Sequence, residues 1–261
     1  MSADAPLFLV GAQRSGTTAL GLALSSAFAE RGWAFTVDGK LPYLLRRWWL
    51  PDDQVAMHMR CDEVEHGLVR MSPQGVDACA WTVRASGALR AAAALVAEGP
   101  ERVDLAATAR EVCAQAYGGD TWGDKYNEYL LDLDWLEATF PRARWIYLVR
   151  DPQQVIASML GWSKRWWNPR TADACARKWA HWNDRWLAFR KRIPEERRLE
   201  VDYAALCAGE HELLSRFTGL DMAPFLAGYR ARRKATTPVP LPEAALRSLA
   251  ELERLDLLRG R

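Results

Sequence analysis

The sequence predicts a three-layer α/β fold, with a central, mostly parallel β-sheet flanked by helices. A short apolar run, Leu7-Phe8-Leu9-Val10, feeds the glycine-bounded turn Gly11-Ala12-Gln13-Arg14-Ser15-Gly16-Thr17-Thr18 and then a helical stretch. A second run, Trp145-Ile146-Tyr147-Leu148-Val149, is continuous and rich in β-formers, as suits a parallel strand covered on both faces. Around these two, strand-like and helix-like segments alternate, the pattern of a sheet with helices on both sides.

The elements follow in order. Leu7–Val10 is the first strand, and Thr17–Glu30 a helix with apolar residues at Leu20, Leu22, Leu24 and Phe28. Trp33–Val37 alternates as a short second strand. Lys40 to about Val69 is irregular or helical and rich in Trp, Met and Arg. The Ala-rich Arg84–Glu98 is a helix stopped by Gly99-Pro100, and Val103–Tyr117 another stopped by Gly118-Gly119. Thr121–Asp124 is a strand tip, and Tyr129–Phe140 a helix ended by Pro141. After Trp145–Val149, Pro152 opens a helix to Leu160, because its fixed φ and missing N–H suit a first helical turn. Ala172–Arg192 is a long helix with Trp179, Trp182 and Trp186 at core-facing spacing. Arg198–Val201 is the last strand, and Glu210–Phe217 a helix.

Composition narrows the function classes. The 261 residues are 49% hydrophobic and 26% charged, with a formal net charge of +2. One large domain with an embedded variable region at about 40–120 and a lid at about 161–172 accommodates that length. The weak net charge does not call for a nucleic-acid partner, so any anion site is local. No signal-like n-region precedes the first apolar run, and no stretch reaches the roughly 20 apolar residues of a membrane span. The five cysteines are scattered and form no C-x-x-C pair, which fits a reducing cytoplasmic setting better than a disulfide scaffold or a zinc site.

The Gly11–Thr18 turn has the form of a phosphate loop. Gly11 permits a sharp exit from the strand, and Gly16 lets backbone approach a ligand. The N–H groups of Ser15 to Thr18 and the helix dipole face an anion, with hydroxyls from Ser15, Thr17 and Thr18 and full charge from Arg14. The lysine of the common nucleotide-binding loop is absent, because Thr17 occupies its position. The residue after the strongest strand is Arg150, where metal-assisted phosphoryl transfer wants an acidic group. Arg150 alone would serve as a helix-start partner of Asp151, and Ser158 alone as an ordinary helical serine. In an open α/β sheet, ligands gather beyond the carboxyl ends of the strands. The Gly11 loop, Asp38, Lys125, Arg150 and Tyr203 all follow expected strands.

Gln13-Arg14-Ser15-Gly16-Thr17-Thr18 resembles the 5′-phosphosulfate loop of sulfotransferases that use 3′-phosphoadenosine 5′-phosphosulfate (PAPS), with arginine where the cytosolic branch has lysine. A second signature of that family is an arginine after a strand with a serine eight residues on, both reading the 3′-phosphate. Arg150 and Ser158 have that spacing. Gly123-Asp124-Lys125 is similar to the lysine segment of the bacterial and Golgi-type branch, although Tyr126-Asn127 follows in place of a small polar residue and proline. Leu199–Leu206 is similar to the segment whose tyrosine lies near the adenine. Ala204 replaces that segment's glutamate, so only Tyr203 carries over. Arg232-Arg233-Lys234 lies where the cytosolic branch has a 3′-phosphate run but lacks its glycine, and also reads as a solvated basic face.

The resemblance implies a P-loop-like sulfotransferase that moves a sulfuryl group from PAPS to an acceptor hydroxyl by in-line displacement, without a metal. It assigns Gln13, Arg14, Ser15, Gly16, Thr17, Thr18, Arg150, Ser158 and Tyr203 to the cofactor, and Arg14 and Lys125 to the charge that develops. Asp38, 24 residues after Arg14, is the expected base, with His58, His66 and Glu63 in reserve. Asp38-Gly39 also reads as a plain turn pair. Trp-rich segments at Arg46–Leu50 and Gly161–Trp167 favour an aromatic, lipidic or sugar-bearing small molecule as acceptor. A small-molecule kinase and a non-catalytic PAPS or nucleotide sensor are the alternatives.

Overall fold

A computed structural model describes residues 5–48, 61–69, 73–99, 103–119, 121–162, 169–230 and 237–258. Five parallel strands form one sheet in the order β2-β3-β1-β4-β5, with helices completing a three-layer α/β fold. They are β1 (Leu7–Val10), β2 (Ala34–Val37), β3 (Trp122–Lys125), β4 (Arg144–Val149) and β5 (Arg198–Asp202). The chain divides into two compact units, Met1–Phe8 with Leu24–Arg144 and Leu9–Ala23 with Trp145–Arg261.

In the first unit, β2 and β3 pair in register, with Thr36 opposite Asp124 and Val37 opposite Lys125. Helices α2 (Leu41–Trp48), α3 (Cys61–Val69), α4 (Ala78–Glu98), α5 (Leu105–Tyr117) and α6 (Leu133–Thr139) belong to this unit. An aromatic core holds it. Tyr117 stacks on Trp122 with ring centres 4.3 Å apart, and Phe8 meets Trp122, Tyr129 and Phe140 edge-on. Helix α4 starts six residues before the expected Arg84, because Asp77 caps it and accepts from the Ala80 N–H at 2.6 Å. The helix expected over Tyr129–Phe140 is broken. Asn127–Leu131 is a 3₁₀ turn and α6 begins only at Leu133, while the Tyr129 hydroxyl is drawn to Asp124 (2.6 Å).

The second unit contains α1 up to Ala23, from a helix spanning Thr17–Ala29, together with α7 (Pro152–Leu160) and α8 (Ala172–Phe189). It continues with α9 (Tyr203–Cys207), α10 (Glu212–Thr218), α11 (Ala223–Leu226) and α12 (Glu243–Arg254). The α8 tryptophans are core residues, as their spacing predicts. Trp186 stacks on Tyr147 of β4 at 4.6 Å. Helix α12, which the sequence reading did not assign, packs on α8 and donates from Ser248 to Asp184 at 2.6 Å. Among the described residues no helix is long and apolar enough to cross a membrane.

Candidate active site

Two groups of the expected site residues assemble, one in each unit. In the second unit they gather at the loop after β1. Gly11 is required there by close packing, since a Cβ would lie 2.5 Å from the Leu148 carbonyl oxygen of β4. The next residues turn back, and the Ser15 N–H donates to the Ala12 carbonyl (3.1 Å). That N–H is therefore engaged inside the loop and does not face outward, contrary to the expectation. Gly16 is required by packing as well. Its φ is +100°, and a Cβ would sit 2.8 Å from the Tyr203 ring and the Tyr229 hydroxyl. Tyr229 in turn donates to the Gly16 carbonyl at 3.3 Å.

Arg14 is the strained residue of the loop, at φ 70°, a left-handed conformation that non-glycine residues seldom adopt. Its guanidinium lies 4.5 Å from the Trp162 ring centre, and its Nε donates to Ser158 Oγ of α7 at 3.0 Å. Arg150 holds the same loop by donating from Nη1 to the Arg14 carbonyl (3.1 Å). It also donates to Gln154 Oε1 (3.1 Å) and lies 4.0 Å from the Tyr203 ring centre. Asp151 is not its ion-pair partner in this arrangement. The Asp151 carboxylate caps α7 through the Gln154 N–H (3.0 Å).

Arg14, Ser158, Arg150 and Tyr203 are thus joined by direct contacts. Beside Arg150 lies a small open hollow, lined by Asp151, Gln154, Asp202, Tyr203, Ala204 and Leu258. Leu258 had no signal in the sequence, and only the fold of the C-terminal segment brings it there. Gln13 is half-buried, Thr17 is buried and Thr18 is exposed.

The loop also contains an orphan. Ser15 is 1% exposed, and its hydroxyl has no hydrogen-bond partner among the described residues. A buried hydroxyl without a partner costs about 1–3 kcal/mol. A phosphate oxygen at the loop would relieve that cost, so the residues present suit a phosphorylated ligand.

Arg150 has a support that sequence reading had placed in the core. The Trp179 indole N–H donates to the Arg150 carbonyl at 3.2 Å. Behind it, Asn183 donates to the Trp179 carbonyl (2.7 Å) and accepts from the Tyr147 hydroxyl (2.5 Å). Trp179→Phe removes the indole donor and keeps an aromatic ring. It is expected to cost about 1–2 kcal/mol of stability and to weaken adenosine 3′,5′-bisphosphate several-fold, read by thermal melting and calorimetry. Unchanged affinity would make Trp179 a packing residue alone.

In the first unit the group forms where β2 and β3 end. The Asp38 carboxylate pairs with Lys125 through Oδ1 at 3.1 Å. Lys125 is buried, whereas the Asp38 side chain is 26% exposed. Among the described residues Asp38 Oδ2 has no partner. Asp38 and Lys40 both have positive φ, 63° and 52°, and Gly39 between them has no room for a side chain. A Cβ there would meet Thr36 Oγ1 at 2.3 Å.

Beneath this turn Asp124 is fully buried. Its carboxylate accepts from Thr36 Oγ1 (2.6 Å), the Gly39 N–H (3.1 Å), the Lys40 N–H (2.7 Å) and the Tyr129 hydroxyl (2.6 Å). Burial pushes the Asp124 carboxyl up to about 6, against the pull of the Thr36, Tyr129 and Lys40 hydrogen bonds. Burial, then the Asp124 charge, also holds the Tyr117 and Tyr129 phenols well above their usual range.

Of the reserve bases, His66 is exposed on α3. The Glu63 side chain and the whole of His58 lie outside the described residues, as do Arg232-Arg233-Lys234 and Ser163–Asn168 of the expected lid.

The family model for sulfotransferases matches residues 6–223. No curated protein sequence matches the chain. Among solved structures, the sulfotransferase domain of the olefin synthase of Synechococcus PCC 7002 is similar over 95% of this chain and 94% of its own, at 18% identity and a TM-score of 0.61. The sulfotransferase domain from the curacin biosynthetic pathway is similar over 95% and 97%, at 18% identity and 0.57. Sulfotransferase STF9 of Mycobacterium avium is similar over 100% and 79%, at 16% identity and 0.52. These three share the fold. The match over residues 6–223 covers most of the sequence, and the chain belongs to the sulfotransferase family.

Proposed function

We propose that this protein transfers a sulfuryl group from PAPS to a hydroxyl of a small-molecule acceptor that is aromatic, lipidic or glycosylated. One observation carries the choice of donor. A phosphate loop without the usual lysine has its own arginine, Arg14, in contact with Ser158, while Arg150 grips the loop's backbone. An ATP site built on a lysine and a metal has no use for that pair of arginines. A nucleotide with both a 5′-phosphosulfate and a 3′-phosphate needs two cationic readers.

When bound, the donor supplies an electrophilic sulfuryl group and a bisphosphate leaving group. Gln13, Arg14 and the Ser15, Thr17 and Thr18 hydroxyls would hold the 5′-phosphosulfate, with Gly16 keeping the turn. Arg150 and Ser158 would hold the 3′-phosphate, and Tyr203 would back Arg150 near the base. Lys125 places positive charge for the oxygens that become more anionic as the reaction proceeds. Asp38 accepts the acceptor's proton on Oδ2 while Lys125 fixes the carboxylate through Oδ1. Positioning and charge thus supply the catalysis, as in phosphoryl transfer.

Ligand-dependent melting tests this reading. At a hundred times its dissociation constant, adenosine 3′,5′-bisphosphate is expected to stabilise the protein by about 2.7 kcal/mol. ADP with Mg²⁺ is expected to do little. The reverse order would replace the sulfotransferase reading with a kinase.

A further inference from the structure

We propose that Asp124 is a positioning residue whose ionised carboxylate holds the Asp38 turn, and with it the Asp38–Lys125 pair, in working geometry. This rests on the reading of Asp38 as base and Lys125 as the charge at the reacting group.

The geometry is specific to that turn. Asp38 is tied to β3 twice, its N–H donating to the Lys125 carbonyl (2.8 Å) and its carboxylate accepting from Lys125 Nζ (3.1 Å). The next two N–H groups, of Gly39 and Lys40, converge on the two oxygens of Asp124. Successive side chains of a strand point to opposite faces. Asp124 therefore works beneath the turn with Thr36, its register partner, while Lys125 reaches Asp38. The Asp124 carboxylate thereby fixes the N–H groups of Gly39 and Lys40, in a turn where Asp38 and Lys40 hold a left-handed backbone.

A simpler structural role fits poorly. Burying a carboxylate is costly, and four donors are spent on this one. Asparagine has one acceptor oxygen and an NH₂ that would face a backbone N–H in either orientation, that of Lys40 beside the Tyr129 hydroxyl or that of Gly39 beside Thr36 Oγ1. The site is built for an anion. The titratable and charged groups around it are Asp38, Lys40 and Lys125, with Cys113 and Tyr117 from α5 and Tyr126 and Tyr129 beyond β3.

The pH signature separates function from stability. The Asp124 carboxyl is raised from 3.8 to about 6 in the folded protein. Between those values the folded state binds this proton more tightly than the unfolded state. This group therefore adds stability as pH falls through that window, and the gain is lost as pH rises towards 6. The turn responds in the opposite sense. Protonation as pH falls through 6 removes acceptor capacity from Gly39 and Lys40. An acid limb in turnover there cannot come from this group unfolding the chain.

The test uses the full chain and two readouts. In amide NMR the Gly39 and Lys40 resonances are expected to titrate near pH 6, and Asp124→Asn to abolish that titration. With labelled PAPS and a simple phenol, Asp124→Asn is expected to lower kcat at least tenfold, remove the limb near pH 6, and leave affinity for adenosine 3′,5′-bisphosphate within twofold. Combined with Asp38→Asn, it should add little further loss. Additive losses, or amides that titrate unchanged in Asp124→Asn, would overturn the proposal. If Asp38→Asn alone leaves turnover intact, the assignment of Asp38 as base has failed, and the proposal falls with it. Should Asp124→Asn not fold, Tyr129→Phe removes one donor and keeps the carboxylate. It should shift the Gly39 and Lys40 titration midpoint upward, and an unmoved midpoint would count against the proposal.

Discussion

Replacing Arg150 with alanine is expected to weaken adenosine 3′,5′-bisphosphate by at least a hundredfold, and 5′-AMP by less than about tenfold. Hydrogen bonds to charged groups contribute about 1.5–3 kcal/mol each, and a guanidinium meets phosphate with two of them. The loss is about 3–4 kcal/mol, and each 1.4 kcal/mol is tenfold in affinity. The smaller loss for 5′-AMP has its own cause. Arg150 also donates to the Arg14 carbonyl, so its removal loosens the loop that both ligands share. The Tyr203 ring and Gln154 would lose their cationic partner as well. Arg150→Lys separates the two contributions. It keeps a charge but cannot reproduce the planar fork, so it should recover part of the bisphosphate affinity and little of the loop's order. Calorimetric titration of both ligands against wild type and both variants reads this out. Equal losses for the two ligands would remove Arg150 from the 3′-phosphate and leave it as a strut for Arg14.

What the sequence shows of this fold is what local chemistry decides. Leu7–Val10 is an uninterrupted apolar run, and Pro152 after Asp151 is a helix start on any background, so both elements have the bounds expected of them. Elsewhere a distant partner intervenes. Tyr129 lies in helix-compatible sequence, yet its hydroxyl bonds Asp124 and the segment is a 3₁₀ turn. The start of α4 is set by the Asp77 cap, a single residue that lies ahead of the Ala-rich stretch.

The site divides in the same way. The resemblance points to the loop, Arg150 and Ser158, and the fold puts Arg14 against Ser158. The function of Gly16 could not be read, because what forbids its side chain is Tyr203 and Tyr229, about two hundred residues further along the chain. Nor could the left-handed turns at Arg14, Asp38 and Lys40, none of which is glycine. The sequence reading assigns no role of its own to Asp124, between Gly123 and Lys125. Only the pairing of β2 with β3 reveals a buried carboxylate that gathers the residues after Val37.

Lys125→Met is expected to lower kcat by about a hundredfold to a thousandfold, the usual effect of removing one preorganised charge or donor from a reacting centre. Affinity for adenosine 3′,5′-bisphosphate should stay within about threefold, because Arg14 and Arg150 supply the binding charge. The substitution also breaks the pair with Asp38, so a stability loss must be told apart from a chemical one. Breaking a fully buried pair costs about 3–5 kcal/mol. The Asp38 side chain is 26% exposed, and water can reach it, so the loss should be smaller. The double variant Lys125→Met with Asp38→Asn removes the stranded charge. It should regain stability over Lys125→Met alone while turnover stays as low or falls further. If turnover instead recovers together with stability, the pair is a structural brace and the charge at the reacting group must come from elsewhere. Lys125→Met with turnover near wild type would lead to the same conclusion, and would return attention to Arg14, whose strained backbone and stacked guanidinium already place a cation on the phosphate loop.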